Sequence, residues 1–177
     1  MVSPVMIGAD PEFEIHNPQG LVPANTRFSD SGCRAELGID GDSRTGELRP
    51  RPGTPSSVIS HIRSLLGKAA KSLLLEEEIL AGAYMVTPMG GHIHFSGVEK
   101  TPELVRKMDE LISQSLREVS NSQDRGARHY GVNGETRPQP HGWEYRTPCS
   151  WISHPWIAKG VLQIAWQLAR AQSEGRL

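Results

Sequence analysis

Glutamate, histidine and arginine recur along this chain in one repeated form. Glu12-Phe13-Glu14, Glu47-Leu48-Arg49, His92-Ile93-His94 and Glu144-Tyr145-Arg146 each place two ionisable residues around an apolar or aromatic one. On a β-strand, residues i and i+2 share a face. Phe13, Leu48, Ile93 and Tyr145 are therefore expected to enter a core beneath helices. Glu12, Glu14, Glu47, Arg49, His92, His94, Glu144 and Arg146 are expected on the opposite face. Any solvent-facing strand alternates in this way, so a single triplet carries little. Solvated strand faces usually carry Thr, Ser and Lys as well. Triplets drawn almost wholly from Glu, Arg and His read as a shared site.

Several carboxylates on a rigid sheet form a cage of hard oxygens. Mg²⁺ or Mn²⁺ prefers such ligands, and an occasional imidazole suits Mn²⁺. The polar stretch before the last triplet adds Arg125, Arg128 and Arg137 to Arg146. Guanidinium groups hold phosphate bidentately and keep their charge. Metal-holding carboxylates beside anion-holding arginines are what phosphoryl transfer requires. His92 and His94 alone would suit a metal-dependent hydrolase, although a catalytic Zn²⁺ usually takes three protein ligands. There is no Walker A sequence and no Gly-x-Gly-x-x-Gly after a strand. A nucleotide would thus be held on the sheet face through metal and arginine.

Three amphipathic segments position this face. One runs from about Pro55 to Leu75, with Val58, Ile62, Leu65, Ala69 and Leu73 on one stripe and Thr54 as N-cap before Pro55. A second opens at Thr101-Pro102-Glu103 and aligns Leu104, Met108, Leu111, Ile112 and Val119. A third follows Pro155 with Ile157, Val161, Ile164, Ala165 and Leu168. Strands are expected at 5–15, 21–24, 45–49, 85–95 and 143–147, with Pro11 at an edge or bulge of the first. The order predicts an α+β fold: an antiparallel or mixed β-sheet with helices on one face, in a single domain over residues 1–177. Residues 121–140 read as a long loop, either a functional lid or a disordered segment. Glu76-Glu77-Glu78 reads as a solvated helix end. The four tryptophans read as core or edge packing, with Trp143 or Trp151 able to stack on adenine. His16, His61 and His154 read as surface or capping residues, and His141 as positional in its Pro-His-Gly turn.

Composition sets outer bounds. Lys and Arg number 19 against 20 Asp and Glu, a net charge of -1, whereas nucleic-acid-binding domains are usually strongly basic. No apolar run approaches ~18 residues, so no membrane span is expected. The first residues lack signal-peptide features. Cys33 and Cys149 form no ligand motif and read as reduced thiols, which predicts a cytoplasmic protein.

The ordered motifs Gly8-Ala9-Asp10-Pro11-Glu12-Phe13-Glu14, Asp40-Gly41 with Thr45-Gly46-Glu47-Leu48-Arg49-Pro50, Gly90-Gly91-His92-Ile93-His94-Phe95, and Arg128-His129-Tyr130-Gly131 leading to His141-Gly142-Trp143-Glu144-Tyr145-Arg146-Thr147-Pro148 resemble the carboxylate–amine ligase superfamily. That superfamily includes glutamine synthetase and glutamate–cysteine ligase, and the chain looks closest to its small phage-type members. The resemblance implies a glutamine-synthetase-like catalytic domain. It implies divalent metal on Glu12, Glu14, Glu47, His92 and Glu144, with Asp10, Asp40 or Asp42 as substitutes. It also implies nucleotide contacts from His94, phosphate or substrate contacts from Arg146, and action on the transferred phosphoryl group by Arg125 and Arg128. Arg49 is expected beside the nucleotide. The implied reaction uses ATP and Mg²⁺ (or Mn²⁺) to convert a small-molecule or peptide carboxylate to an acyl phosphate, which an amine then opens to an amide. A homo-oligomer is also an expectation. Two other readings stand beside this one: an inactive phage structural or binding protein that retains the fold, and the hydrolase built on His92 and His94.

Overall fold

The computed structural model describes residues 4–29, 35–39, 41–83, 85–119 and 130–177. Arg125, Arg128, Cys33 and Asp40 lie outside the described residues. The long first strand β1 (Met6–Asn17) is the axis of the fold. The other strands are β2 (Gly20–Val22), β3 (Leu37–Ile39), β4 (Gly46–Leu48), β5 (Glu78–Leu80), β6 (Gly91–Ser96), β7 (Thr136–Gln139) and β8 (Gly142–Tyr145). Their order is β3-β4-β1-β6-β8-β7, with β2 and β5 also paired to β1. Every one of these pairings is antiparallel.

Helix α1 (Pro55–Lys71) begins as expected, the Thr54 side chain accepting from the Ser57 N–H. Helix α2 (Pro102–Met108) is capped in the same way by Thr101. Helix α4 (Pro155–Ser173) is capped by His154, whose ring accepts from the Trp156 N–H. Helices α1 and α4 lie against β1 and against each other, and α2 packs on α4. Beneath them Phe13, Leu48, Ile93 and Tyr145 are fully buried, as their spacing predicts. Gly46 faces Phe13 across the β1–β4 pairing, and a Cβ there would lie 2.4 Å from the ring. The glycine is needed because the ring occupies that space.

Several elements differ from the sequence reading. A π turn at Asp109–Ser113 joins α2 to α3 (Gln114–Val119). A π turn holds more residues than an α turn. The buried stripe therefore becomes Leu104, Met108, Ile112 and Leu116, spaced by four, while Leu111 and Val119 turn outward. The strand expected at 85–95 is β6 alone, because Pro88 interrupts the run and Met85 and Val86 are exposed. Pro11 leaves β1 unbroken and sits where the β6 pairing ends, opposite Gly91. The acidic run at 76–78 is a turn into β5, and buried Glu77 pairs with Arg27. Part of the expected 121–140 loop is strand β7. Trp156 is 72% exposed. Trp143 and Trp151 cannot stack on a base: both are buried on the helix side, their indole N–H groups donating to Val98 O and Gly91 O.

Candidate functional site

Strand register, more than sequence distance, assembles the polar face. Asp10 pairs with His92 and Gly8 with His94 across β1–β6. His94 pairs with Glu144 across β6–β8, Glu12 with Glu47 across β1–β4, and Arg137 with Glu144 across β7–β8. A cleft of about 290 Å³ opens there, lined by Asp10, Glu12, Asp42, Thr45, Glu47, Thr87, Pro88, His92, Tyr130, Arg137 and Arg146. A wider cleft of about 1010 Å³ adjoins it, sharing Asp10, Glu47 and Arg137, and is walled in part by Ile39, Arg49, Pro50, Pro52, His94 and His141.

The expected residues fall into three groups. Glu12, Glu47, His92 and Arg146 line the narrow cleft. Glu144 is buried at its edge, held at 2.6 Å by Arg146, 2.8 Å by Arg137 and 2.7 Å by Gln139. His94 and Arg49 line the wide cleft. The Arg49 guanidinium pairs with Glu47 and donates to Ile39 O at 2.8 Å, tying β3 to β4. Glu14 shares the strand face and is fully buried, but it lines neither cleft. Its Oε1 accepts from the Thr87 N–H at 2.5 Å, the Thr87 hydroxyl at 2.6 Å and the Val86 N–H, and its Oε2 lies 2.7 Å from His16.

The acidic pair that does reach the cleft is one step earlier: Asp10 and Glu12. Asp10 has the same i, i+2 spacing to Glu12 that Glu14 has, so the sequence held the signal but could not choose between the frames. Asp10 Oδ2 lies 3.0 Å from His94 Nε2. Its Oδ1 is buried without a hydrogen-bond partner, 3.5 Å from His92 Nδ1. Ligand atoms of Asp10, His94 and Glu144 lie within 4.8 Å of one another. An orphaned carboxylate oxygen among imidazoles and carboxylates fits a divalent cation, which would supply the missing partner.

Gly90 and Tyr130, which stand in the motifs without an assigned role, complete the site. The Gly90 N–H donates to Glu12 Oε2 at 2.7 Å. The Tyr130 hydroxyl donates to Glu12 Oε1 at 3.2 Å and lies 3.1 Å from His92 Nε2. A Cβ on Gly90 would come within 2.6 Å of both His92 Nε2 and the Tyr130 oxygen, so the close approach requires glycine. His141 stands in its turn with Nε2 3.3 Å from His94 Nδ1.

Electrostatics follow from these contacts. Burial pushes the Asp10 carboxyl up, but the His94 hydrogen bond and the charges of His92 and His94 outweigh it and hold the group well below the usual carboxylate range. Burial likewise raises Glu144 while Gln139, His92 and Arg146 bring it down, with a net lowering. For His94, burial works downward and Asp10 upward, and Asp10 prevails. A carboxylate lowered on folding contributes stability above its unfolded pKa, near 4, and loses it as pH falls through the folded value. Asp10→Asn is therefore expected to flatten the acid limb below about pH 4. Urea midpoints between neutral pH and about pH 2.5, measured in chelator, test this; parallel limbs for the two proteins would refute it.

The polar face of carboxylates, imidazoles and arginines thus lies above a helix-backed core. The chain belongs to the phage phiEco32-like COOH–NH2 ligase type 2 family, whose model matches residues 7–175. Its fold is similar to that of Plasmodium falciparum glutamine synthetase seen by cryo-EM, with a TM-score of 0.57 and 9% identity over 95% of this chain. The chain spans about half of that glutamine synthetase, 52% of its length. No curated protein sequence matches. The shared fold is an antiparallel glutamine-synthetase-like sheet with helices. Among the described residues no helix is long and apolar enough to cross a membrane.

Proposed function

We propose that this protein is an ATP- and Mg²⁺-dependent ligase that joins a carboxylate to an amine through an acyl phosphate, with residues 1–177 forming one catalytic domain. The observation that carries the reading is the meeting of Asp10, Glu12, Glu47, His92 and Glu144 with Arg137 and Arg146 on a single sheet face. Asp10, His92, His94 and Glu144 would hold one divalent ion, and Glu12 and Glu47 a second. Glu14 would join them only by exchanging its hydrogen bonds from Thr87. Bound Mg²⁺ or Mn²⁺ neutralises phosphate charge, so that a carboxylate can approach the γ-phosphorus.

The residues divide the remaining work. His94 and Arg49 place the nucleotide in the wide cleft. Arg146 and Arg137 hold equatorial phosphoryl oxygens. Arg125 and Arg128 act on the transferred group from outside the described residues, a role that rests on the family resemblance. No protein nucleophile is needed, because the phosphoryl group itself activates the carboxylate. The amine then attacks the acyl carbon and phosphate leaves. The substrates are a small-molecule or peptide carboxylate and an amine, in the cytoplasm, and a homo-oligomer is compatible with this. Calorimetric titration with a non-hydrolysable ATP analogue and Mg²⁺, followed by phosphate-release assays against a panel of amines, tests the proposal. Nucleotide-dependent heat and amine-stimulated release are expected. No heat at millimolar analogue would refute it.

A further inference from the structure

The core beneath the site contains a polar cluster that the chemistry above does not use. Tyr145 is fully buried, and its side chain points from β8 into the helix layer. Its hydroxyl donates to Asp109 Oδ1 at 2.6 Å and lies 2.7 Å from Ser113 Oγ. Asp109 and Ser113 are the first and last residues of the π turn between α2 and α3. Filling the core would require only a phenyl ring. The phenol and the Ser113 hydroxyl are buried and need partners there, and the half-buried Asp109 carboxylate at the rim of the layer supplies one. π turns are rare and concentrate at functional positions.

The chain neighbours of Tyr145 are Glu144 on β8 and Arg146 just past its end, and both meet on the opposite face, where Arg146 donates to Glu144. Rotation of β8 about its axis would swing both. The strand has only four residues, and on one side it meets only the edge strand β7. To the ladders on either edge the anchored phenol adds a fixed point on the core side. Burial and then the Asp109 carboxylate push the phenol pKa up, so the hydroxyl remains a donor.

We propose that Asp109 and Ser113 are positioning residues, acting through the Tyr145 hydroxyl to hold Glu144 and Arg146 at the cleft. The proposal rests on the reading of Glu144 as a metal-binding group. Its test is Mn²⁺ affinity by calorimetry, read beside thermal unfolding in chelator, for Tyr145→Phe, Asp109→Ala, Asp109→Asn and Leu116→Ala. Partners that orient a ligand typically change affinity by about 10–100-fold when lost. Tyr145→Phe and Asp109→Ala are expected to weaken Mn²⁺ binding by about 10-fold or more. Asp109→Asn keeps an accepting oxygen and is expected to stay close to the wild type. Leu116→Ala removes apolar packing from the same layer and is expected to lower the melting temperature while leaving affinity unchanged. Wild-type affinity in Tyr145→Phe, or an equal loss in Leu116→Ala, would overturn the proposal. A wild-type protein that binds no Mn²⁺ would instead overturn the reading of the site itself, before any substitution is compared.

Discussion

Glu12→Gln is expected to reduce Mg²⁺-dependent phosphate release more than ~100-fold while leaving the fold intact. Glu12 is almost wholly buried, faces Glu47 across the β1–β4 ladder, and receives the Gly90 N–H and the Tyr130 hydroxyl. Glutamine has the same shape and still accepts at one oxygen, but it cannot contribute a negative charge to a cation. Removing one carboxylate from a cluster that already holds Asp10, Glu47 and Glu144 also relieves repulsion. The melting temperature in chelator should therefore equal or exceed that of the wild type. A bound ion stabilises by RT ln(1 + [L]/Kd), about 2.7 kcal/mol at 100 Kd. If affinity falls about 100-fold, that stabilisation shrinks to roughly 0.4 kcal/mol at the same concentration. Thermal unfolding with and without Mg²⁺ measures the difference. Full turnover, or an undiminished Mg²⁺ shift, would remove Glu12 from the site.

Phe13→Asp, one residue along, should have the opposite character: an unfolded chain. Phe13 is fully buried, covers Gly46, and meets Phe28 edge to face with ring centroids 5.8 Å apart. Losing a buried phenylalanine costs about 3–5 kcal/mol in cavity and transfer terms. An unpaired carboxylate in the same apolar space adds several more. The sum reaches much of the ~5–15 kcal/mol that holds a typical domain together. Far-ultraviolet circular dichroism and a urea titration would show it, with Phe13→Leu as the mild comparison. A cooperative transition near the wild-type midpoint would mean that the ring is not in the core.

The two substitutions differ so sharply because alternate residues of β1 serve opposite faces. That alternation was legible before any coordinates. So were the capped start of α1, the opening of α2 at Thr101-Pro102 and the burial of Leu48, Ile93 and Tyr145. Asp10 was legible only as a substitute ligand, since Asp10-x-Glu12 and Glu12-x-Glu14 are equivalent by spacing. What separates them is the 86–90 loop, whose Val86 and Thr87 N–H groups take Glu14 and whose Gly90 N–H takes Glu12. Arg137 was seen only as one arginine among several, because β7 has four residues and contains a proline, too little for a period-two signal. The π turn left no local mark, and it moved Leu111 and Val119 outward.

The sequence by itself determined which side chains share a strand face and which enter the core, because a period of two is a property of the local backbone. The tertiary structure alone decided which carboxylates remain open to a cation and which are taken by neighbouring N–H groups. Those partners come from strand register and loop closure between distant segments, such as Glu14 and Val86, 72 residues apart, and no local pattern encodes that pairing.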